Sequence, residues 1–599
     1  MHLRPALVVA AAAVTVLPVA GYAAQGGGGS PGWAPRPATY GTVTQHDVLI
    51  PMSDGVQLHA DVTRPAINGV AAPGQFPVVL DQTPYNKAVS AMSPYLAQRG
   101  YIQVTVDVRG TGSSPGTWDA FGAREQQDYL ETARWVHTLP GGTGSYALAG
   151  TSYDAIDQFL TAEQQPPGLA AMFPVVPSAD PYRDVVVHGG MLDTGFMPLW
   201  FGLVAGTGLV PGGATTPAQG LSTLLQHVGG AVTFQGAKLA QAALGGDPVY
   251  DSGFYRLRAP IEHVDRVTVP TFVVGGEYDL FQRGEPMLYN ALAARGVPAK
   301  LLIGPWTHLQ ADGGTFELGG AKNLDQLRLR WFDHYLRGVA DPTLDTDVPP
   351  VTVNRLGKGG NSFESSTSYP TPQTRYAPLP LGGSPTVGRS GTLGGTAAPG
   401  SATIAWNPLS GLCSESTEQW TAGLAVSPCS THEQLNDLTG ATWDLPVSGS
   451  TPLRFNGPSA AHLYVSTTRR DADLTVRLED VGPDGRVTPL TAGWQSLAMR
   501  ALDPSRTVVR DGLVVQPYHP DTVASTLPVT PGTIYEVQVE LFPTAAQVQP
   551  GHALRLAIQQ LDAPTLVPPA PALLASIGST VTVYSDAAHP SSLTLGVER

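Results

Sequence analysis

The chain has 599 residues, of which 42% are apolar and 14% charged, with 68 Gly, 55 Pro and a formal charge of −14. That length exceeds one hydrophobic core, the apolar share describes a globular protein, and the wealth of turn residues favours β-rich architecture over helix bundles. The acidity comes with no Lys/Arg run, which excludes the basic footprint of a nucleic-acid binder.

In chain order, Arg4 precedes the apolar run PALVVAAAAVTVLPVA, and Gly21, Ala23 and Ala24 offer small residues for cleavage. Residues 1–24 read as a secretory signal peptide, too short for a membrane span. The mature protein is therefore expected to be secreted, with no membrane association after cleavage. Residues 25–40 (QGGGGSPGWAPRP within them) read as a flexible linker. Two alternating strands then flank the turn at Ser53–Gly55. Five apolar runs follow, at Pro77–Leu80, Tyr101–Val108, Tyr146–Ala149, Thr271–Val274 and Lys300–Ile303. Helical segments alternate with them. Glu125–Leu139 carries Leu130, Ala133 and Val136 on one face, and Leu324, Leu327, Trp331 and Tyr335 define a second amphipathic helix ending at Gly338. The fold class is α/β: a parallel sheet with crossovers built from residues 41–177 and 268–345. Residues 178–267, rich in Gly, Leu, Ala and Gln, interrupt that rhythm and read as a helical cap. Residues 346–599 lose the helix signal and read as a C-terminal β-sandwich, a jelly roll. Cys413 and Cys429 are the only two cysteines. In an oxidising compartment they should form a disulfide, closing a loop of about 15 residues and contributing roughly 3 kcal/mol on the chain-entropy model.

Ligands of open parallel sheets bind beyond the carboxyl ends of the strands. Ser152 follows the strand at Tyr146–Ala149, Asp279 follows Thr271–Val274 in VVGGEYDLF, and His308 follows Lys300–Ile303 in LLIGPWTHL. The chain order Ser, Asp, His is that of α/β-hydrolases. A serine hydroxyl needs a base within hydrogen-bond reach, and the base needs a carboxylate to hold its tautomer and stabilise its charge. Glu277 competes with Asp279 for the acid role. For the oxyanion, one donor is the backbone N–H of Tyr153, directly after the nucleophile. The other is the phenol of Tyr85, in the loop DQTPYNK, which lacks the glycine run that many esterases place there. No metal-binding spacing and no cofactor motif is present, and His188 reads as cap structure or pocket wall. The glycines of RGTGSSPG and GGTGSYALAG read as turns.

These residues resemble the family of serine hydrolases that includes Xaa-Pro dipeptidyl-peptidases, cocaine esterase and α-amino-acid ester hydrolases (CocE/NonD-like). Gly150, Ser152 and Tyr153 are similar to its elbow G-x-S-Y-x-G, and Thr83-Pro84-Tyr85 with Lys87 to its oxyanion tyrosine segment. Asp107, Arg109, Gly110, Gly112, Ser114 and Gly116 resemble its D-x-R-G-x-G-x-S-x-G turn. Gly276–Asp279, GPWTH and WFDHYLRG resemble the loops and helix that follow, and DADLTVRLEDVGPDGR and QPGHALRLAI its jelly-roll signatures. The resemblance spans nearly the whole mature chain. It implies an α/β-hydrolase with helical cap and jelly roll, the triad Ser152–His308–Asp279, and oxyanion donors at Tyr85 and Tyr153. One departure stands out: Ala155 replaces the last elbow glycine, preceded by Asp154, which is expected to point outward as a favourable first-turn residue. The partner this implies is a small-molecule ester or amide, or a short peptide. An Xaa-Pro dipeptidyl-peptidase would need carboxylates for a free amino terminus, and the cap offers Asp180, Asp184 and Asp193. A catalytically weak ligand-binding protein on the same fold is a further alternative. Oligomeric state is left open.

Overall fold

The computed structural model describes residues 33–599 apart from 211, 214–215, 360–361, 397, 426–428 and 430–431. The expected signal peptide and the start of the linker lie outside the described residues.

All five apolar runs become strands of one sheet. Its strands are β1 (Gly41–Pro51), β2 (Gln57–Ile67), β3 (Phe76–Thr83), β4 (Ile102–Asp107), β5 (Gly142–Thr151), β6 (Leu169–Val175), β7 (Thr271–Tyr278), β8 (Ala299–Thr307), β9 (Val351–Asn354) and β10 (Phe363–Ser366). They lie in the order β1-β2-β4-β3-β5-β6-β7-β8-β9-β10, with the two-residue strand Val70–Ala71 beside β2. From β4 across to β9 every pairing is parallel. The runs are continuously apolar because both faces are covered. Val79, Ala147, Phe173, Phe272 and Leu302 feed the core on one face, and Val78, Leu80, Leu148, Met172, Val273 and Ile303 the core on the other.

Helix α1 (Ala123–His137) buries Tyr129, Ala133 and Val136, and α2 (Tyr153–Ala162) is buried along its whole length. The insertion between β6 and β7 is predominantly helical, with α3 (Phe196–Gly208), α4 (Pro217–Gly230) and α5 (Ala237–Ala243). Thr216 and Gln219 form a reciprocal capping box that starts α4. The insertion is also stitched to the end of the chain, since Met191–Asp193 pairs with Leu566–Val567. Helix α6 (Gly284–Ala293) follows β7, and α7 (Leu324–Tyr335) starts where the Asn323 side chain accepts the Gln326 N–H. Trp331 on α7 donates its indole N–H to the Met172 carbonyl (3.1 Å), fixing the helix against β6.

Two expectations change. The sheet does not stop at residue 345: β9 pairs parallel with β8 and β10 closes the edge, so the sheet runs on to residue 366. Residues 33–40 are not a free tether. Arg36 makes a two-toothed pair with Asp333 of α7 (2.8 and 3.0 Å), and Arg99 donates to the Arg36 carbonyl. A planar guanidinium matched to a carboxylate holds the segment where composition alone reads flexibility.

The rest of the chain is all-β. Long strands Leu453–Thr467, Tyr535–Val548, Thr580–Asp586 and Ser592–Glu598 pair with one another, as do Ala441–Pro446, Asp473–Val481, Val487–Ser496 and Ala553–Gln559. They enclose a core of Trp443, Val465, Leu478, Val539, Leu556, Val583 and Leu595. Cys413 is bonded to Cys429 in this unit.

Candidate active site

Strand β5 passes into α2 through Ser152, whose φ of 65° and ψ of −117° lie outside the ordinary regions for a residue with a Cβ. Such a conformation costs about 1–3 kcal/mol and persists only where the surroundings over-determine it. They do so here. The Ser152 N–H donates to the Val175 carbonyl of β6 (2.9 Å), and the Ser152 carbonyl accepts from the N–H groups of Ala155 and Ile156. Gly150 is required at this turn, because a Cβ there would meet the Asp154 Cβ at 2.5 Å. Ala155 is fully buried, and the elbow forms with its methyl group in place.

Adjacent strands β7 and β8 deliver the other two predicted side chains to the same point. Ser152 Oγ lies 2.7 Å from His308 Nε2, and His308 Nδ1 lies 2.6 Å from Asp279 Oδ2. The carboxylate selects the tautomer that carries its proton on Nδ1, which leaves Nε2 to accept from the serine. Asp279 is fully buried and also accepts the Phe281 N–H (2.6 Å). Behind it Glu285 accepts the Gly276 N–H (3.1 Å). Burial, reinforced by the neighbouring Asp279, pushes the Glu285 carboxyl well above its usual range. Glu277 does not compete for the imidazole: it is turned away to accept from Thr544 and the Ala545 N–H of the β-domain.

Tyr85, in the loop after β3, brings its phenol to the other side of Ser152. Its oxygen lies against the Ser152 side chain and the Tyr153 N–H, and accepts the Trp200 indole N–H (3.2 Å). Burial raises its pKa, so the phenol keeps its proton. Asp107 anchors that loop by accepting the N–H of Lys87 (2.6 Å) and of Ser113 (2.7 Å). The glycine-rich turn is thus a structural support for Tyr85. The Tyr153 side chain points elsewhere, stacking on Phe121 (3.9 Å between centroids) and donating to Glu125.

Two consecutive family profiles match the chain: the X-Pro dipeptidyl-peptidase (S15) family over residues 54–310, and the X-Pro dipeptidyl-peptidase C-terminal non-catalytic domain over residues 345–594. Cocaine esterase of a Rhodococcus species is 28% identical over 567 residues, which is 86% of this chain and 91% of that one. The chain is a serine hydrolase of the X-Pro dipeptidyl-peptidase (S15) family. Solved structures agree on the fold. A CocE/NonD family hydrolase from Staphylococcus aureus superposes with a TM-score of 0.69 at 19% identity, covering 93% of this chain and 94% of that one. An aminopeptidase from a Thaumarchaeota archaeon gives 0.71 at 20%, covering 96% and 99%.

The hydrolase holds beside Ser152 a cavity of about 290 Å³ walled by Tyr85, Phe196, Trp200, Phe201, Phe234 and Phe254, among others. Sequence reading missed three of the features around it. Trp200 orients the Tyr85 oxygen, Phe281 sets its ring edge-on to His308 (5.1 Å between centroids), and Gln419 of the β-domain donates to the Asp279 carbonyl (2.8 Å). Only apolar texture in the insertion hinted at the first; nothing local signals the last.

Asp154 points inward, contrary to expectation. It is buried against Asp81, whose carboxyl it adjoins beneath the elbow, with Thr83 also in contact. The close approach of α2 to β3 over Gly150 leaves its side chain no route to solvent. Burial, with Asp81 and Asp157 adding to it, drives its pKa far up. The carboxyls of the insertion are also largely occupied. Asp180 pairs with Arg183 (2.8 Å), and Asp184 pairs with Arg283 (3.0 Å) while accepting the N–H groups of Ala179 and Asp180. His188 stacks among Trp420, Trp494 and Phe542, away from the triad, and burial lowers its pKa to about 3.

Proposed function

We propose that the protein is a secreted hydrolase that cleaves an ester or amide bond through an acyl-enzyme on Ser152. The observation that carries this is the unbroken relay from Ser152 Oγ to His308 to Asp279 at 2.7 and 2.6 Å. His308 takes the serine proton as Oγ attacks the carbonyl carbon, then returns it to the departing alcohol or amine. Asp279 stabilises the imidazolium. The Tyr85 phenol and the Tyr153 N–H converge on one side of Oγ, where they would receive the oxyanion. Water then repeats the sequence on the acyl-enzyme. In this reading the helical insertion serves as a cap over the sheet and the C-terminal domain is a jelly roll. Export follows from the N-terminal sequence, and among the described residues no helix is long and apolar enough to cross a membrane.

The apolar cavity favours an ester or amide with an aromatic or bulky aliphatic group. Release of Xaa-Pro dipeptides is the second reading, favoured by the matching family profile. Against it, Asp180 and Asp184 are already neutralised by arginines. Labelling with a fluorophosphonate probe tests the nucleophile: the protein should label, and Ser152→Ala should not, with kcat down roughly 10⁴- to 10⁶-fold. Labelling that survives in Ser152→Ala would sink the assignment. Turnover of aryl esters against Xaa-Pro anilides separates the two substrate readings.

A further inference from the structure

The cavity has two chemically different ends, linked by a run of aromatic rings. From His308 the centroid spacings are 6.1 Å to Phe196, 6.2 Å on to Trp200, 5.2 Å to Phe201, 6.1 Å to Phe234 and 6.4 Å to Phe254. Lys238 of α5 also lines the cavity, its ammonium 4.5 Å from the Phe254 ring centre. A ring face supplies only part of what an ammonium loses on leaving water. Among the described residues no carboxylate pairs with Lys238.

The other charged groups on the wall do not neutralise it. Arg258, 3.7 Å from the Phe254 ring centre, is itself a cation, and it donates to the carbonyls of Ala120, Phe254 and Asp119 and to the Asp119 carboxylate (2.9 Å). Glu125 sits behind Tyr153, satisfied by the Tyr129 and Tyr153 hydroxyls. Asp193 is 3% exposed; its Oδ1 accepts the N–H groups of Gly195 (3.0 Å) and Phe196 (2.7 Å), while its Oδ2 has no partner. Burial pushes the Asp193 carboxyl well above its usual range, so it stands neutral with an O–H to give. Both uncommitted polar groups on this wall are therefore donors.

We propose that this cavity selects substrates whose apolar body carries a carboxylate remote from the scissile bond, with Lys238 as the residue that determines the preference. The proposal rests on Ser152 being the nucleophile. The aromatic run holds the body, and the carboxylate reaches Lys238 at the end away from His308. A free ammonium at that end meets a like charge and is disfavoured.

The test uses 4-nitrophenyl esters of one eight-carbon acyl chain ending in a carboxylate, its methyl ester or an ammonium. A parallel series of phenyl acetates carries the same three groups on the ring. In at least one series the wild type should favour carboxylate over methyl ester by about tenfold in kcat/KM, the scale of one charge-assisted hydrogen bond. The ratio should fall to about one in Lys238→Met, persist in Lys238→Arg, and shrink with added salt. Because the ratio is read within each variant, a partly misfolded preparation does not distort it. A ratio near one in both series for the wild type, an unchanged ratio in Lys238→Met, or a preference for the ammonium overturns the proposal. Loss of methyl-ester turnover in Ser152→Ala belongs to the parent reading and is scored separately.

Discussion

At the scale of single residues, the nucleophile turn departs from the G-x-S-Y-x-G pattern only at Ala155, yet Asp154 beside it carries more weight. Ala155 costs nothing visible: its N–H still reaches the Ser152 carbonyl. Asp154 matters, because its carboxyl sits behind the oxyanion side and adds to the field that raises the pKa of Tyr85. The groups facing it are Asp81 and Thr83 from β3 and Asp157 from its own helix. Arg328 and Asp312 act on the pair through Asp81. Buried carboxyls that adjoin must share a proton. Protonated, Asp154 is harmless to a developing oxyanion; ionised, it opposes one. Activity is therefore expected to fall on the alkaline side as Asp154 loses its proton, and Asp154→Asn should hold kcat to higher pH. A pH–rate profile of kcat on a neutral ester checks this, and superimposable alkaline limbs would count against it.

At the scale of elements, strands β3, β4, β5, β7 and β8 were legible because each is a short apolar run buried on both faces, and the ends of β5, β7 and β8 place Ser152, Asp279 and His308 in hydrolase order; β6 (Leu169–Val175) was not read from the sequence. The segment from Cys413 to Gly423 was not legible as part of the site. It belongs to the β-domain, yet Gln419 donates to the Asp279 carbonyl and to Gln282, and the Ala422 carbonyl accepts the Leu309 N–H next to the base. The disulfide at Cys413 and the buried Asp562, which accepts from Ser414, Ser416 and Trp494, fasten that segment to its own domain. The acid and base loops are thus braced from outside the sheet that carries them. Gln419→Ala should lower kcat about tenfold with KM nearly unchanged, since an unpaired buried carbonyl costs about 1–3 kcal/mol and lets the Asp279 loop shift. Steady-state kinetics on an activated ester measures the split.

At the scale of the whole molecule, the three parts are locked by buried charge. Arg183 of the insertion pairs with Asp180 and Asp251 and donates to the His519 carbonyl, and Arg283 bridges Asp184 and Glu540. So many buried acids make stability depend on pH. Burial raises Glu277 to about 8, Glu125, Glu163 and Asp521 to about 7, and Asp107 to about 6. The native state holds these protons while the unfolded chain releases them near pH 4, at about the ordinary carboxyl values. Where the native state binds more protons, stability falls as pH rises, so each of these groups is destabilising above its raised pKa and relieved below it. Two histidines oppose this: burial lowers His188 to about 3 and His519 to about 4, so their contribution is lost as pH drops below the ordinary histidine value. Glu364, held down to about 2 by Arg454, Lys358 and Arg355 despite partial burial, loses its contribution as pH falls from the ordinary carboxyl value towards 2. The melting temperature should therefore be higher at pH 6 than at pH 8. Calorimetry across that range checks the order; a Tm that climbs steadily to pH 8 would contradict it.

The sequence by itself determined the strand–helix rhythm, the order of the three reactive side chains and the tyrosine opposite them. Each depends on local periodicity or on position relative to a strand end, which neighbouring residues dictate. Only the tertiary structure decided which way Asp154 faces, how far the sheet extends, that residues 33–40 are held, and that Gln419 braces the acid loop. Those depend on contacts between segments distant in the chain, where burial and partner geometry outweigh local preference. Lys238 belongs with them: as a residue it is an ordinary helix lysine, and only the aromatic wall around it leaves its charge unanswered.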